Sequence, residues 1–163
     1  MKIEIVKITR VTDVFAEMVA SFRVELRSYK GIVSKPNLDA GREEMEEYLA
    51  AGFPVFAAIV DGEYAGYVVC RVDSEVVWVE SIFVKEEYRR HGVATALHRK
   101  AEEIAASYGD DTVYNYVHPN NHSMIEFLRK RGFTVLNLIE IRKPYKGEKL
   151  TQTITVGEHE FDY

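Results

Sequence analysis

Ile3, Ile5 and Ile8, set among charged residues, have the spacing of a half-buried strand and predict a first strand ending near Thr9. The period then changes. Behind Asp13, a suitable helix cap, Phe15, Met18, Phe22, Leu26 and Tyr29 follow at three- and four-residue steps, which predicts a helix with one buried stripe. The stretch from Lys30 to Leu38 carries Gly31 and Pro36 and reads as a loop. A short acidic helix is expected over Asp39 to Ala50, with Met45 and Leu49 inward. Two strands, Pro54 to Val60 and Tyr64 to Val72, flank Asp61-Gly62, the dipeptide of a tight hairpin turn. A third runs from Glu75 to Val84. From Val93, the residues Leu97, Ala101, Ile104 and Tyr108 keep helical spacing until Gly109. A strand at Thr112 to Val117, a helix from about Asn121 to Arg131 stopped by Gly132, and a strand at Phe133 to Arg142 follow. The β-branched tail, Leu150 to Val156, reads as a last strand. The order β-α-α-β-β-β-α-β-α-β-β implies an α/β (α+β) fold with helices packed on a mixed sheet.

Composition narrows the classes. At 163 residues there is room for one ordinary domain, and 47% hydrophobic with 29% charged residues is a globular balance. The 21 Lys and Arg against 26 Asp and Glu leave a net charge of −5, which argues against non-specific nucleic-acid binding. A single cysteine, Cys70, makes no intrachain disulfide, and no Cys/His cluster has metal spacing, both in keeping with a reducing cytoplasm. The longest apolar stretch, Phe53 to Val60, is broken by Pro54 and too short for a bilayer, and the first ten residues lack a signal peptide's apolar block. Secretion and membrane insertion are therefore not expected.

Candidate chemistry concentrates in Val79 to Leu97, VESIFVKEEYRRHGVATAL. A strand runs into a short loop, and Arg89-Arg90-His91-Gly92-Val93-Ala94 opens a helix. The first amides of a helix lack internal partners and sit at the positive end of its dipole, so they suit a phosphate. Gly92 and Ala94 remove bulk where an anion would approach. Neither GxxxxGK[ST] nor GxGxxG is present, which sets aside a nucleoside triphosphate P-loop and a dinucleotide fingerprint. By itself the R-x-x-G-x-A pattern is a common chance match; its position between a strand and a periodic helix, followed by a strand, Asn121, a helix and Gly132-Phe133, gives it weight.

In these features the chain resembles the GNAT superfamily of acetyl-CoA-dependent N-acetyltransferases. The resemblance implies one GNAT-like domain over 1–163, with a mostly antiparallel sheet of six to seven strands and about four helices. It implies acetyl-CoA (CoA) as cofactor, an amine acceptor of small-molecule or peptide type, and direct attack of that amine on the thioester. By position, Ile82, Phe83 and Val84 would pair with the pantetheine arm. Backbone amides from Arg90 through His91, Gly92, Val93 and Ala94 to Thr95 would grip the pyrophosphate, with the Arg89 and Arg90 side chains nearby. Asn121, Met124 and Phe127 would line the cofactor, and the Val84 amide would be the oxyanion donor. Relatives commonly pair through C-terminal strands, so a homodimer is one expected assembly. A non-catalytic acyl-CoA-binding sensor or subunit is the alternative.

Individual residues carry competing assignments. Glu80 is a carboxylate on a strand of Val, Ile, Phe and Trp; it is a candidate general base, or an ordinary strand carboxylate paired with Lys or Arg. Asn121 also suits a helix cap, and Ser123 and Glu126 have capping-box spacing. His118 and His122 are assigned surface or capping roles, and Cys70 a small buried apolar one. One position departs from the family pattern. Many relatives place a proton-donating Tyr where this chain has Leu128, which leaves either Tyr29, Tyr67, Tyr116 or Tyr145 as an unplaced substitute, or a thiolate that leaves and is protonated by solvent. Acidic Glu43, Glu44, Glu46 and Glu47 would suit a cationic acceptor, whereas Arg142, Lys143, Lys146 and Lys149 would suit an acidic one.

Overall fold

The three central strands assemble in sequence order because tight turns join them. In the computed structural model, which describes residues 1–163, β1 (Ile3–Lys7), β2 (Val55–Val60), β3 (Glu63–Asp73), β4 (Val76–Val84) and β5 (Tyr114–Asn115) form one sheet in that order. The first three pairings are antiparallel and β4–β5 is parallel. Asp61 and Gly62 both take positive φ (50° and 87°), as do Ser74 and Glu75 (49° and 68°), the backbone that tight hairpin turns require. α1 (Asp13–Ser28) and α2 (Leu38–Ala50) follow β1, α3 (Val93–Ser107) connects β4 to β5, and α4 (His122–Lys130) follows β5.

The chain divides into two compact units, Met1–His118 and Pro119–Tyr163. In the first, α1 and α2 lie on one face of the sheet. Phe15, Met18 and Val19 of α1 and Met45 and Tyr48 of α2 pack on Val55, Ala57, Tyr67, Val69 and Phe83. Gly41 sets the approach of the two helices, since a Cβ there would stand 2.3 Å from the Ala16 carbonyl oxygen. α3 buries Val93, Leu97, Ala101 and Ala105 and packs on the other face, against β2, β3 and β4. No helix is long and apolar enough to cross a membrane.

The second unit holds α4 and the antiparallel hairpin of β6 (Thr153–Val156) and β7 (His159–Asp162), closed by a turn with Gly157 at φ 61°. Here the chain departs from the periodicity. The expected strand at Phe133 to Arg142 does not form: those residues are irregular, and Val135, Leu136, Leu138 and Ile141 are exposed. Their β-prone composition needs a neighbour with a free edge, because strand preference is chiefly a matter of pairing and packing. The tail strand forms over four residues of the expected seven and pairs with β7, so the last two strands make a separate sheet and not an extension of the first. The expected strand at Thr112 to Val117 shortens to Tyr114–Asn115, for a reason that bears on the site.

Candidate active site

β4 carries the centre of interest, and its ladder with β3 contains one irregularity. Val69 pairs with Ser81 while Cys70 pairs with Val79, so Glu80 is the extra residue of a β-bulge. The bulge lets Glu80 and Ser81 both turn toward the face covered by α1 and α2. Ser81 is buried and its hydroxyl meets that of the fully buried Tyr67 at 2.9 Å. Glu80 is half-buried and accepts a hydrogen bond from Arg71 Nε at 3.1 Å. Arg71, on β3, lies over the Trp78 ring at 4.3 Å and donates from Nη2 to the Tyr116 hydroxyl at 3.2 Å.

Beyond the bulge, β4 loses its neighbour on one side. β5 pairs with β4 only at Trp78 with Tyr114 and Val79 with Asn115. Lys85 N–H donates to the Ala65 carbonyl at 2.9 Å. The antiparallel alternation then directs the N–H and C=O of Phe83 toward β3, and those of Ile82 and Val84 toward the open side. The Val84 carbonyl accepts from Arg89 Nε at 2.8 Å. The Arg89 side chain also pairs with Glu25 of α1 and lies 5.7 Å from the Phe83 ring centroid. Phe83 contributes its ring, which packs between Phe22 and Tyr67.

The open edge leads into the start of α3. Arg90 takes φ 65° and Gly92 φ 84°, so two left-handed residues precede the helix and turn successive amides to one side. Gly92 is the N-cap and supplies no side-chain acceptor, which leaves the amides of Val93, Ala94 and Thr95 uncapped by side chains. A Cβ on Gly92 would meet only Ile3 Cδ1, at 3.9 Å, so the space above the loop is open. His91 is exposed beside it. These features fit a phosphate-bearing ligand.

Behind the sheet, His98 of α3 is fully buried with Nε2 3.0 Å from Asn115 Oδ1, which fixes β5 to α3 where its ladder with β4 ends. Tyr29 stacks on His118 at 6.1 Å, and burial, aided by Lys30, lowers the His118 pKa below its ordinary 6.5. On α1 and α2, Arg23, Glu44 and Tyr48 form a hydrogen-bonded cluster, and burial together with the Glu44 bond pushes the Tyr48 phenol well above its ordinary range. In the second unit, Asn121 is the N-cap of α4, its Oδ1 accepting from the Met124 amide at 3.2 Å. Ser123 donates to the same oxygen, so the Ser123–Glu126 spacing does not form the cap. Met124 and Phe127 are half-buried and Leu128 is buried.

An acetyltransferase (GNAT) family model matches residues 18–133, which is more than half of the chain and includes both β4 and the loop before α3. The chain belongs to the GNAT acetyltransferase family. An N-alpha-acetyltransferase of Sulfurisphaera tokodaii is 32% identical over 114 residues, 60% of this chain and 64% of that protein. The chain spans 38% to 65% of the lengths of the curated relatives it matches. Two solved structures share the fold. AAC(6′)-Iy, bound to the bisubstrate analogue CoA-S-monomethyl-acetylneamine, has a TM-score of 0.66 at 21% identity, covering 89% of this chain and 99% of that one. The PaiA N-acetyltransferase of Thermoplasma acidophilum, solved with coenzyme A, has a TM-score of 0.65 at 20% identity, covering 80% and 89%. The fold is thus the mixed α/β GNAT fold, with seven strands in two sheets and four α-helices. Arg71 is the site residue the sequence did not single out. Its signal is two cross-strand contacts, which only the register reveals.

Proposed function

We propose that this protein transfers an acetyl group from acetyl-CoA to an amine by direct attack of the amine on the thioester. One observation carries the proposal: the open edge of β4 is followed, after one short connection, by a glycine-led helix start with no side-chain cap. Main-chain groups of Ile82 and Val84 would pair with the pantetheine arm, and amides from Arg90 to Thr95 would hold the pyrophosphate. CoA supplies an activated acyl group on a good leaving sulfur. The protein's part is orientation, an oxyanion donor in the Val84 amide, and proton removal by Glu80 through water. Arg89, bonded to the Val84 carbonyl, acts as a positioning residue for that peptide. Asn121, Met124 and Phe127 remain proposed cofactor contacts, with Asn121 also capping α4.

The acceptor most worth trying first is a peptide α-amine, as the names of the curated relatives suggest. The buried Leu128 favours a second outcome, an acyl-CoA-binding sensor without turnover. Calorimetric titration with CoA and thiol release from acetyl-CoA, with peptides, polyamines, lysine and an aminoglycoside, separate the two. Burial pushes the Cys70 thiol up to about 12, so released CoA is the thiol that a colorimetric reagent reads at neutral pH. Binding without turnover establishes the sensor; absence of CoA binding overturns both.

A further inference from the structure

Resting on the acetyl-transfer reading above, we infer that Tyr116 is the catalytic residue that returns a proton to the departing thiolate. Of the four tyrosines available as substitutes for the donor absent at Leu128, two are occupied in the wrong places. Tyr67 is sealed in the core against Ser81, and Tyr29 is stacked on His118. Tyr145 lies in the irregular part of the second unit, against Arg142. Tyr116 differs from them in three respects.

It follows the last β4–β5 pair directly, so it stands at the mouth of the split between the strands. Two residues past Tyr114, which packs on Trp78, the strand alternation puts it on the face that also carries Glu80 and Arg71. The residue is 66% exposed, which leaves it open to a ligand. Above all, its hydroxyl oxygen accepts a hydrogen bond from Arg71 Nη2, while Arg71 Nε holds Glu80. An accepting hydroxyl keeps its own O–H free to donate elsewhere. One guanidinium therefore spaces a carboxylate and a phenol across the same opening, with its positive charge beside the oxygen that turns negative when the proton leaves.

The step balances as follows. An ammonium acceptor gives one proton through water to Glu80, and its lone pair forms the C–N bond to the acetyl carbon. The C–S bond breaks with its electron pair going to sulfur, and nitrogen sheds its second proton to water. Sulfur takes the Tyr116 proton, the phenolate is refilled from water, and Glu80 passes its proton to water, for a net release of one proton per turnover.

The test compares Tyr116→Phe with wild type, using a short peptide with a free α-amine, or the fastest amine of the panel. Loss of a general acid lowers kcat by about 10²-fold, with CoA affinity and acceptor KM within about twofold, and removes any alkaline fall in the pH–rate profile. A second readout needs no turnover. In protein labelled at tyrosine Cζ, the resonance missing from Tyr116→Phe shifts when CoA is added to wild type. Unchanged kcat and profile, or a Tyr116 resonance unmoved by saturating CoA, overturns the assignment. A loss confined to KM also overturns it, making Tyr116 a wall of the acceptor site. A wild type that releases no thiol with any amine instead overturns the acetyl-transfer reading itself, and this step with it.

Discussion

Gly66 faces Val84 across the β3–β4 ladder, and it is where the smallest side chain should do the most damage to the site. A Cβ built there lies 2.4 Å from the Phe83 carbonyl oxygen and 3.1 Å from Val84 Cα, with Leu97 Cδ1 at 3.3 Å. Real Cβ contacts essentially never fall under 3.0 Å, so β4 must retreat by several tenths of an ångström at the Phe83–Val84 peptide, which carries the proposed oxyanion donor. The obstacle is backbone, which places the cost toward the upper end of overpacking, about 3 kcal/mol. Removing a glycine from the unfolded chain returns roughly 0.4–1 kcal/mol. A net loss of about 2 kcal/mol lowers Tm by about 4–8 °C in a chain of this size. Gly66→Ala should therefore unfold earlier in a thermal scan and, because Val84 moves, bind CoA more weakly in calorimetry. A variant melting within about 1 °C of wild type, with unchanged CoA affinity, would refute the reasoning. It would show that β3 and β4 absorb a methyl group without disturbing either packing or site.

Three further outcomes follow from the same geometry. Gly92→Asn tolerates the left-handed backbone at φ 84° and Gly92→Val does not, so both should weaken CoA binding by about tenfold but only the valine variant should also lose stability, by about 1–2 kcal/mol; full CoA affinity in the asparagine variant would put the phosphate elsewhere. Glu80→Gln preserves shape and the partnership with Arg71 yet accepts no proton, so turnover should fall about 10²-fold with CoA affinity retained, and undiminished turnover would remove Glu80 from the mechanism. Because burial and Lys30 depress the His118 pKa, the unfolded chain binds more protons than the folded one around the ordinary 6.5. Stability should therefore fall as pH drops through that value, and His118→Gln should reduce this slope; an imidazole midpoint above 6.5 by NMR would contradict the sign.

Element order was legible because it depends on local signals. The stripe in α1, the Asp61-Gly62 turn, and Gly109 and Gly132 after α3 and α4 each act within a few residues. What was not legible depends on partners. The β-branched run after Gly132 has the composition of a strand whether or not an edge is available to it. The C-terminal hairpin turns on the short Gly157-Glu158 connection between TITV and HEFD, a signal present in the sequence but weaker than the run before it. The helix-start motif was legible in the sequence, and a helix does open there at Val93 behind Gly92. The destination of Arg89 could not be read there, because Glu25 and the Val84 carbonyl are distant or hidden in the chain. The bulge at Glu80 is likewise a property of register, and without it the carboxylate's neighbours are undefined.

The two opposed charge runs also lose their apparent conflict once side chains are placed. Of the acidic residues of α2, Glu44 alone turns inward, and it is engaged by Arg23 and Tyr48. Glu43, Glu46 and Glu47 are exposed. In the basic stretch, Arg142 is held by both carboxylate oxygens of Glu148. One member of each run is thus engaged locally, and the exposed remainder are weak determinants of binding because water and salt screen them. On the sheet face itself the charges are Glu80 and Arg71, joined to each other and to Tyr116. An acceptor approaching the open edge of β4 meets a compensated pair beside aromatic rings, which can relay protons without holding a strongly charged group tightly. On the proposed acetyl-transfer reading, selectivity for an amine would rest on the chemistry of attack and on the shape of the cleft more than on a net field. Acceptors differing by one remote charge should consequently differ little in kcat/KM, whereas acceptors differing in bulk next to the reacting nitrogen should differ by much more.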